Sequence, residues 1–268
     1  MSRLLLLGGA VLAGSLAISC SSSSTSGGAP DAGATGKAYV TVYGLDEVAV
    51  IDTGSATVVD HIPLGSGKGL SILLKTPDGK KLYAAGWKDN TITAVTPATK
   101  AVKSIPMTDR PWVEAMSPKG DFVYAGLNSN AIAVISTATD TITQTFDTHG
   151  LLPESIVVSP DGATLYVASG LAGGTVQAFS ASTGAMVQSA IDVGLTPAWI
   201  AISADGSKVY TLNFLGNSVS VVDTKTWAVT STFADPGSYP IIGAATPSGA
   251  LLVTNYQSAD VVIFDAAG

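Results

Sequence analysis

Alternating apolar and polar residues recur along the chain from about residue 37 onward. The segments 47–53 (EVAVIDT), 131–137 (AIAVIST) and 218–224 (SVSVVDT) have a period of two and are rich in β-branched residues. Turn residues such as Gly, Pro, Asn and Asp separate these segments, and no stretch after residue 37 has a helical period over ten or more residues. The pattern therefore predicts an all-β chain.

A repeat of 41 to 44 residues organises these strands. One aromatic position marks it in successive units, namely Tyr39, Tyr83, Tyr124, Tyr166 and Tyr210, with Leu252 in the sixth place. A turn recurs in step with this position, for example at 77–79 and 160–162, where the sequence is Pro-Asp-Gly. Proline presets φ in such a turn and glycine accepts a positive φ, so the turn joins two adjacent strands of each unit.

A repeat of this length with about four short strands is typical of a β-propeller blade. In the third unit the expected strands are 112–117, 122–126, 131–136 and 141–146. The first unit, 37–67, lacks the innermost strand, and the last unit, 240–268, lacks the outermost one. We therefore predict about 22 strands in six blades, with the first and last blades shortened; a truncated seven-bladed ring, or a ring completed by another chain, is the alternative.

The third unit also carries a family resemblance. The segment 121–146 (DFVYAGLNSNAIAVISTATDTITQTF), followed by 153–162 (PESIVVSPDG), resembles the YVTN-type β-propeller repeat, and the resemblance covers 37–268. It implies a propeller fold. The family includes surface antigens, periplasmic binding proteins and subunits of larger enzymes, so the resemblance leaves the function open.

The first 36 residues predict an exported protein. Arg3 precedes an apolar run, 4–18, which is too short to span a membrane and is typical of a signal peptide. The sequence Ala-Ile-Ser-Cys at 17–20 resembles the bacterial lipobox, which implies that Cys20 becomes the lipidated first residue of the mature protein. Residues 21–36 are rich in Ser, Gly and Ala and predict a flexible linker between 1–20 and the propeller. We expect a lipid-anchored protein of the bacterial cell envelope, facing the periplasm or the exterior.

Composition excludes several functions. The chain has 13 Lys and Arg against 20 Asp and Glu, a formal net charge of −7, which argues against a nucleic-acid partner. One cysteine cannot form a disulfide framework, and two histidines, His61 and His149, are too few for a multi-copper or haem propeller. The chain also lacks a P-loop, a Gly-x-Ser-x-Gly elbow and a His-Glu-x-x-His segment, so we expect no cofactor.

Binding residues are expected at one end of the blades. The loops that join the second and third strands of a blade, and the connections between blades, emerge there, and they are rich in aromatic and hydrogen-bonding residues. The candidates are Tyr43, Trp87, Arg110, Trp112, Glu154, Phe214, Tyr239 and Tyr256. Packing between blades is the alternative role for Trp112, and an ion pair with Asp109 or Glu114 is the alternative for Arg110.

Three functions are compatible with these observations. The leading hypothesis is a non-catalytic exported lipoprotein that binds a protein, peptide or glycan partner at this end of the blades. The second is a propeller lyase or lactonase with a divalent metal held by Asp109, His149 and Glu154. The third is an assembly scaffold, or a subunit of an envelope complex, whose incomplete blades dock another chain. The segment 65–69 (GSGKG) suggests a phosphate-binding loop, but no helix follows it, and we interpret it as a connection between blades.

Overall fold

The computed structural model describes residues 36–170 and 173–265. These residues form 22 β-strands in six consecutive antiparallel sheets, and the chain divides into two compact units, 1–111 and 112–268. The proposed signal peptide, Cys20 and nearly all of the proposed linker lie outside the described residues. Within the described ranges no helix has the length and apolar character needed to cross a membrane.

The first unit contains a three-stranded sheet, in the order β1-β2-β3, and a four-stranded sheet, in the order β4-β5-β6-β7. The strands are β1 (Lys37–Val42), β2 (Glu47–Asp52), β3 (Thr57–Pro63), β4 (Leu70–Lys75), β5 (Leu82–Gly86), β6 (Thr91–Thr96) and β7 (Ala101–Pro106). Strand β1 packs against β4. The core between the two sheets contains Val48, Ile62 and Leu82, none of which is more than 1% exposed.

The second unit contains three four-stranded sheets and a final three-stranded sheet, each with its strands in chain order. The strands are β8 (Pro111–Met116), β9 (Phe122–Leu127), β10 (Ala131–Ser136), β11 (Thr141–Asp147), β12 (Pro153–Val158), β13 (Thr164–Ser169), β14 (Thr175–Ser180), β15 (Met186–Asp192), β16 (Pro197–Ile202), β17 (Lys208–Asn213), β18 (Ser218–Asp223), β19 (Ala228–Ala234), β20 (Pro240–Ala245), β21 (Leu251–Asn255) and β22 (Asp260–Phe264). The prediction of an all-β chain of 22 strands in six blades, with a shortened first and last blade, is confirmed.

Hydrogen bonds explain the recurring turn between the first two strands of a blade. In the β12–β13 turn, the Gly162 N–H donates to the Ser159 carbonyl at 2.8 Å, and the Thr164 N–H donates to the Ser159 hydroxyl at 2.9 Å. Gly162 has a φ of 77°, the left-handed region that glycine adopts without strain. In equivalent turns, hydrogen bonds from the Lys80 N–H and the Ser203 hydroxyl lower the pKa of Asp78 and Asp205, respectively, to about 2.

Neighbouring blades of the second unit pack through their buried faces. The Ile200 N–H donates to the Ser155 hydroxyl at 3.2 Å, which joins β16 to β12. The Trp199 Nε1–H donates to the Gly243 carbonyl of β20 at 2.7 Å. Gly126 of β9 lies close to β12, because a Cβ built there would be 2.8 Å from Pro153 Cβ. The apolar residues of inner strands such as β13 and β17 are therefore buried where blades of this unit pack against one another.

Candidate functional site

Two aromatic rings and two cations form a cluster at the loop end of the first unit. Tyr43 lies in the β1–β2 turn, Trp87 and Lys88 lie in the β5–β6 turn, and Arg110 precedes β8. The Tyr43 and Trp87 ring centroids are 6.5 Å apart, with an angle of 18° between the planes. Lys88 Nζ lies 5.0 Å from the Tyr43 centroid, and Arg110 Cζ lies 5.1 Å from the Trp87 centroid. We call these four residues the cationic–aromatic cluster.

Both cations in the cluster contact ring faces and not carboxylates. Distances within about 6 Å of a ring centroid are those of cation–π contacts, which contribute roughly 0.5–2 kcal/mol each. Across the described ranges, neither Lys88 nor Arg110 forms an ion pair. The Asp109 carboxylate accepts the backbone N–H of Arg110 at 2.7 Å, and Glu114 has no hydrogen-bond partner in this part of the chain. The expected alternative for Arg110, an ion pair with either acid, is therefore absent from the described structure.

The glycine-rich loop 65–69, which lies next to the cluster, already binds a carboxylate of this protein. The Asp46 carboxylate accepts the backbone N–H groups of Gly67 at 2.7 Å and Gly69 at 2.9 Å. Lys68, whose side chain is 7% exposed, forms an ion pair with Asp89 at 3.0 Å. The N–H groups and the lysine that could bind a phosphate therefore have intramolecular partners, in agreement with our interpretation of 65–69 as a connection between blades.

Gly69 sets the position of the cluster on this loop. Its φ is 60°, and an added Cβ would lie 2.7 Å from Lys88 Cγ and 3.0 Å from Trp87 Nε1. The Trp87 N–H also donates to the Gly69 carbonyl at 3.4 Å. Because only glycine leaves room for both side chains, the loop holds the indole and the lysine stem against the backbone.

In the second unit, the structure pairs two of the predicted site residues. The Trp112 Nε1–H donates to Glu154 Oε2 at 3.2 Å. Glu154 is 6% exposed and occupies a β-bulge, since the register of β12 with β13 shifts between Pro153 and Ser155. Burial raises the pKa of Glu154, and the Trp112 hydrogen bond opposes this shift. The Trp112 indole N–H and one Glu154 carboxylate oxygen are therefore each other's hydrogen-bond partner.

The three remaining predicted residues form a second aromatic group in this unit. The Phe214 and Tyr239 rings stack with centroids 4.7 Å apart and planes at 27°. Phe214 is buried, whereas Tyr239 is half-buried and Tyr256 is 47% exposed. The Tyr256 N–H donates to the Tyr239 carbonyl at 2.9 Å, which fixes the two loops together. Tyr239 and Tyr256 thus present rings to solvent, and Phe214 supports Tyr239 from below.

The residues expected to hold a divalent metal have other contacts. The exposed His149 ring stacks on Phe179, with centroids 6.2 Å apart and planes at 5°. Glu154 is hydrogen-bonded to Trp112, and the Asp109 carboxylate binds a backbone N–H. No three His, Cys, Asp or Glu side chains come together as a possible metal site in 36–170 or 173–265.

Two features of the second unit were missed by sequence reasoning. A cleft of about 540 Å³ lies at the opposite end of the blades, lined by residues that include Ser117, Phe122, Tyr124 and Asp161. Binding residues were expected only at the other end of the blades; Phe122, a large apolar residue two positions after the turn at 118–120, was the one available signal. Glu114, inside the apolar segment of β8, is buried, and this burial raises its pKa well above its ordinary value.

Comparison with protein families and with curated proteins finds no match to this chain. Among solved structures, a hydrazine synthase chain from Kuenenia stuttgartiensis is similar, with a TM-score of 0.58 and 16% sequence identity. The similarity covers 86% of this chain and 92% of that one. At this identity the match supports the β-propeller fold alone.

Proposed function

We propose that the protein is a non-catalytic β-propeller that binds a protein, peptide or glycan partner at the loop end of its blades. The observation that carries this proposal is the cationic–aromatic cluster. Two ring faces and two cations without ion-pair partners among the described residues lie together on loops that rigid strands hold in place. Aromatic and arginine side chains of this kind supply most of the binding energy in protein interfaces.

A screen against peptide and glycan arrays tests this function. We expect a ligand whose affinity for the full chain falls at least tenfold on Trp87→Ala, because the indole contacts both Tyr43 and Arg110. Phe122→Ala is the matched control, since Phe122 is an aromatic residue that is 39% exposed at the opposite end of a blade. Ligand binding that survives both Trp87→Ala and Trp112→Ala would reject this end of the blades as the site.

We also propose that the protein is a YVTN-type lipoprotein of the bacterial cell envelope, anchored through Cys20. The support is the sequence alone: an apolar leader, a lipobox-like 17–20 and a linker rich in Ser and Gly. A fatty acid with an alkyne tag should label the full chain in cells and should not label the Cys20→Ala variant. Labelling of that variant, or a wild-type chain that fractionates without membranes, would contradict the anchor.

The last sheet favours a second function, that of an assembly scaffold. On one side β22 pairs with β21, and within the described residues no strand pairs with its other side. Val261 and Ile263 are 58% and 67% exposed, whereas Val219 and Val221, at matching positions of β18, are 0% and 5% exposed. An unpaired edge with apolar side chains is suited to docking a strand from another chain.

Solution mass measurements test the scaffold function. We expect the wild-type chain to associate at micromolar concentration, and Val261→Asp with Ile263→Asp to abolish association while leaving the circular dichroism spectrum unchanged. A wild-type chain that remains monomeric alone and with membrane extract would count against this function.

A further inference from the structure

The charges around the cationic–aromatic cluster indicate what it binds. Lys68 and Asp89 neutralise each other, and Asp46 is occupied by backbone N–H groups. Among the described residues, Lys88 and Arg110 have no carboxylate partner, in a chain whose formal net charge is −7. The cluster is therefore a local positive site that can bind a negative group, although the protein as a whole is acidic.

The hydrogen-bond donors of both cations have no acceptor among the described residues. The five N–H donors of a guanidinium lie in one plane and match the two oxygens of a carboxylate. Arg110 Cζ lies 5.1 Å from the Trp87 centroid, and Lys88 Nζ lies within 6 Å of the centroids of both rings. The rings thus hold the two cations and provide apolar surface beside them.

The acidic residues near the cluster disfavour a ligand with many closely spaced negative charges. Asp109 directly precedes Arg110 in the chain and forms no ion pair among the described residues, so a negative charge lies beside one of the two cations. A polymer with one carboxylate per sugar would bring further negative charges towards Asp109 and towards a protein whose formal net charge is −7, which is unfavourable. One carboxylate with apolar neighbours avoids this repulsion.

We propose that the cluster binds a peptide segment in which a single Asp or Glu is flanked by apolar side chains. The carboxylate bonds to the Arg110 guanidinium, the Lys88 ammonium adds positive charge to the same cluster, and the flanking side chains contact the Tyr43 and Trp87 rings. This inference rests on the proposed function, because it identifies the ligand of the same site.

An array of random decapeptides, probed with the fluorescently labelled full chain, tests the inference. We expect the best binders to contain one acidic residue beside Leu, Ile, Phe or Trp. Changing that acid to its amide should weaken binding about tenfold, because a charge-assisted hydrogen bond is lost. Arg110→Gln and Lys88→Gln should remove the preference for an acid, whereas Lys119→Gln, which changes an exposed lysine of another turn, should retain it.

Three results would overturn this inference and leave the proposed function standing. These are Trp87-dependent binders without an acidic residue, equal affinity for the acid and amide peptides, and tighter binding of an oligogalacturonate than of any peptide. The last result would indicate an acidic glycan ligand. Ligands that depend on Trp112 but not on Trp87 would also overturn the inference alone, and the absence of any ligand that depends on Trp87 or Trp112 would overturn both the inference and the proposed function.

Discussion

Replacement of Gly126 by alanine tests the packing of neighbouring blades. A Cβ at this position would lie 2.7 Å from Val113 Cγ2, 2.8 Å from Pro153 Cβ and 3.3 Å from Ile156 Cδ1. Val113 and Ile156 are only 6% and 7% exposed, and the proline ring is rigid, so none of the three can move away freely. The backbone of β9 or β12 must therefore shift to accept one methyl group.

Such overpacking costs about 2 kcal/mol of unfolding free energy. For a domain of this size the melting temperature should fall by roughly 4–8 °C. Gly44→Ala is the matched control, because a Cβ there would meet nothing within 4 Å and its φ is outside the left-handed region. That control should leave stability unchanged or raise it slightly, since alanine reduces the entropy of the unfolded chain.

Urea unfolding followed by tryptophan fluorescence is a suitable measurement, because Trp112, Trp199 and Trp227 all belong to the second unit. Val113→Ala removes the Cγ2 atom that would collide, so on the Gly126→Ala background it should recover part of the loss. A double-mutant cycle should give a coupling of at least about 0.5 kcal/mol. Equal midpoints for Gly126→Ala and Gly44→Ala would refute the packing of β9 against β12.

Substitutions at three further carboxylates test buried and turn interactions. Burial raises the pKa of Glu154, so the stability that the protonated Glu154 carboxyl contributes is present below its ordinary pKa of 4.5 and is lost as the pH rises through its folded-state pKa. Glu154→Gln should therefore raise the urea midpoint more at pH 7.5 than at pH 4.5. Equal changes at the two pH values would contradict this. Asp89→Asn leaves the buried Lys68 ammonium without its carboxylate and with only the Thr91 hydroxyl as a partner; it should cost about 1–3 kcal/mol by urea unfolding, whereas Lys68→Met should cost less. The pKa of Asp205 is lowered to about 2, so the stability that its carboxylate supplies above pH 3.8 is lost as the pH falls towards 2. Asp205→Asn should therefore be destabilising at pH 6 and neutral near pH 2. A difference in urea midpoint between wild type and Asp205→Asn that stays constant with pH would show that the turn hydrogen bonds do not lower this pKa.

The strands and turns could be predicted because their causes are local. Each blade pairs strands that are adjacent in sequence, as β9 and β10 show, so the period-two pattern and the turn glycines are sufficient to locate them. The bulges after Pro153, Pro197 and Pro240 were not predicted. A register shift depends on how an inner strand packs on its neighbours, and the alternation of apolar residues does not encode it.

The candidate site was only partly predictable for a related reason. The repeat placed Tyr43, Trp87 and Arg110 at the same end of their strands, and in the structure both Tyr43 and Arg110 lie beside the Trp87 ring, at 6.5 Å and 5.1 Å from its centroid. The repeat could not show that Phe214 is buried beneath Tyr239, because the depth of a loop residue depends on the conformation of neighbouring loops. Glu114 was considered only as an ion-pair partner, although a charged residue within an apolar inner strand was a signal of a perturbed carboxyl group.

The Asp46 carboxylate gives the connection at 65–69 a particular chemical character. Two of its amide groups converge on one side chain, in the manner in which such amides surround an external phosphate or sulfate, so the protein is its own ligand at this place. Exchange of Asp46 for a residue without an acceptor would leave the Gly67 and Gly69 N–H groups with no protein partner. The conformation of the connection between the first two blades therefore depends on one acid of the preceding blade.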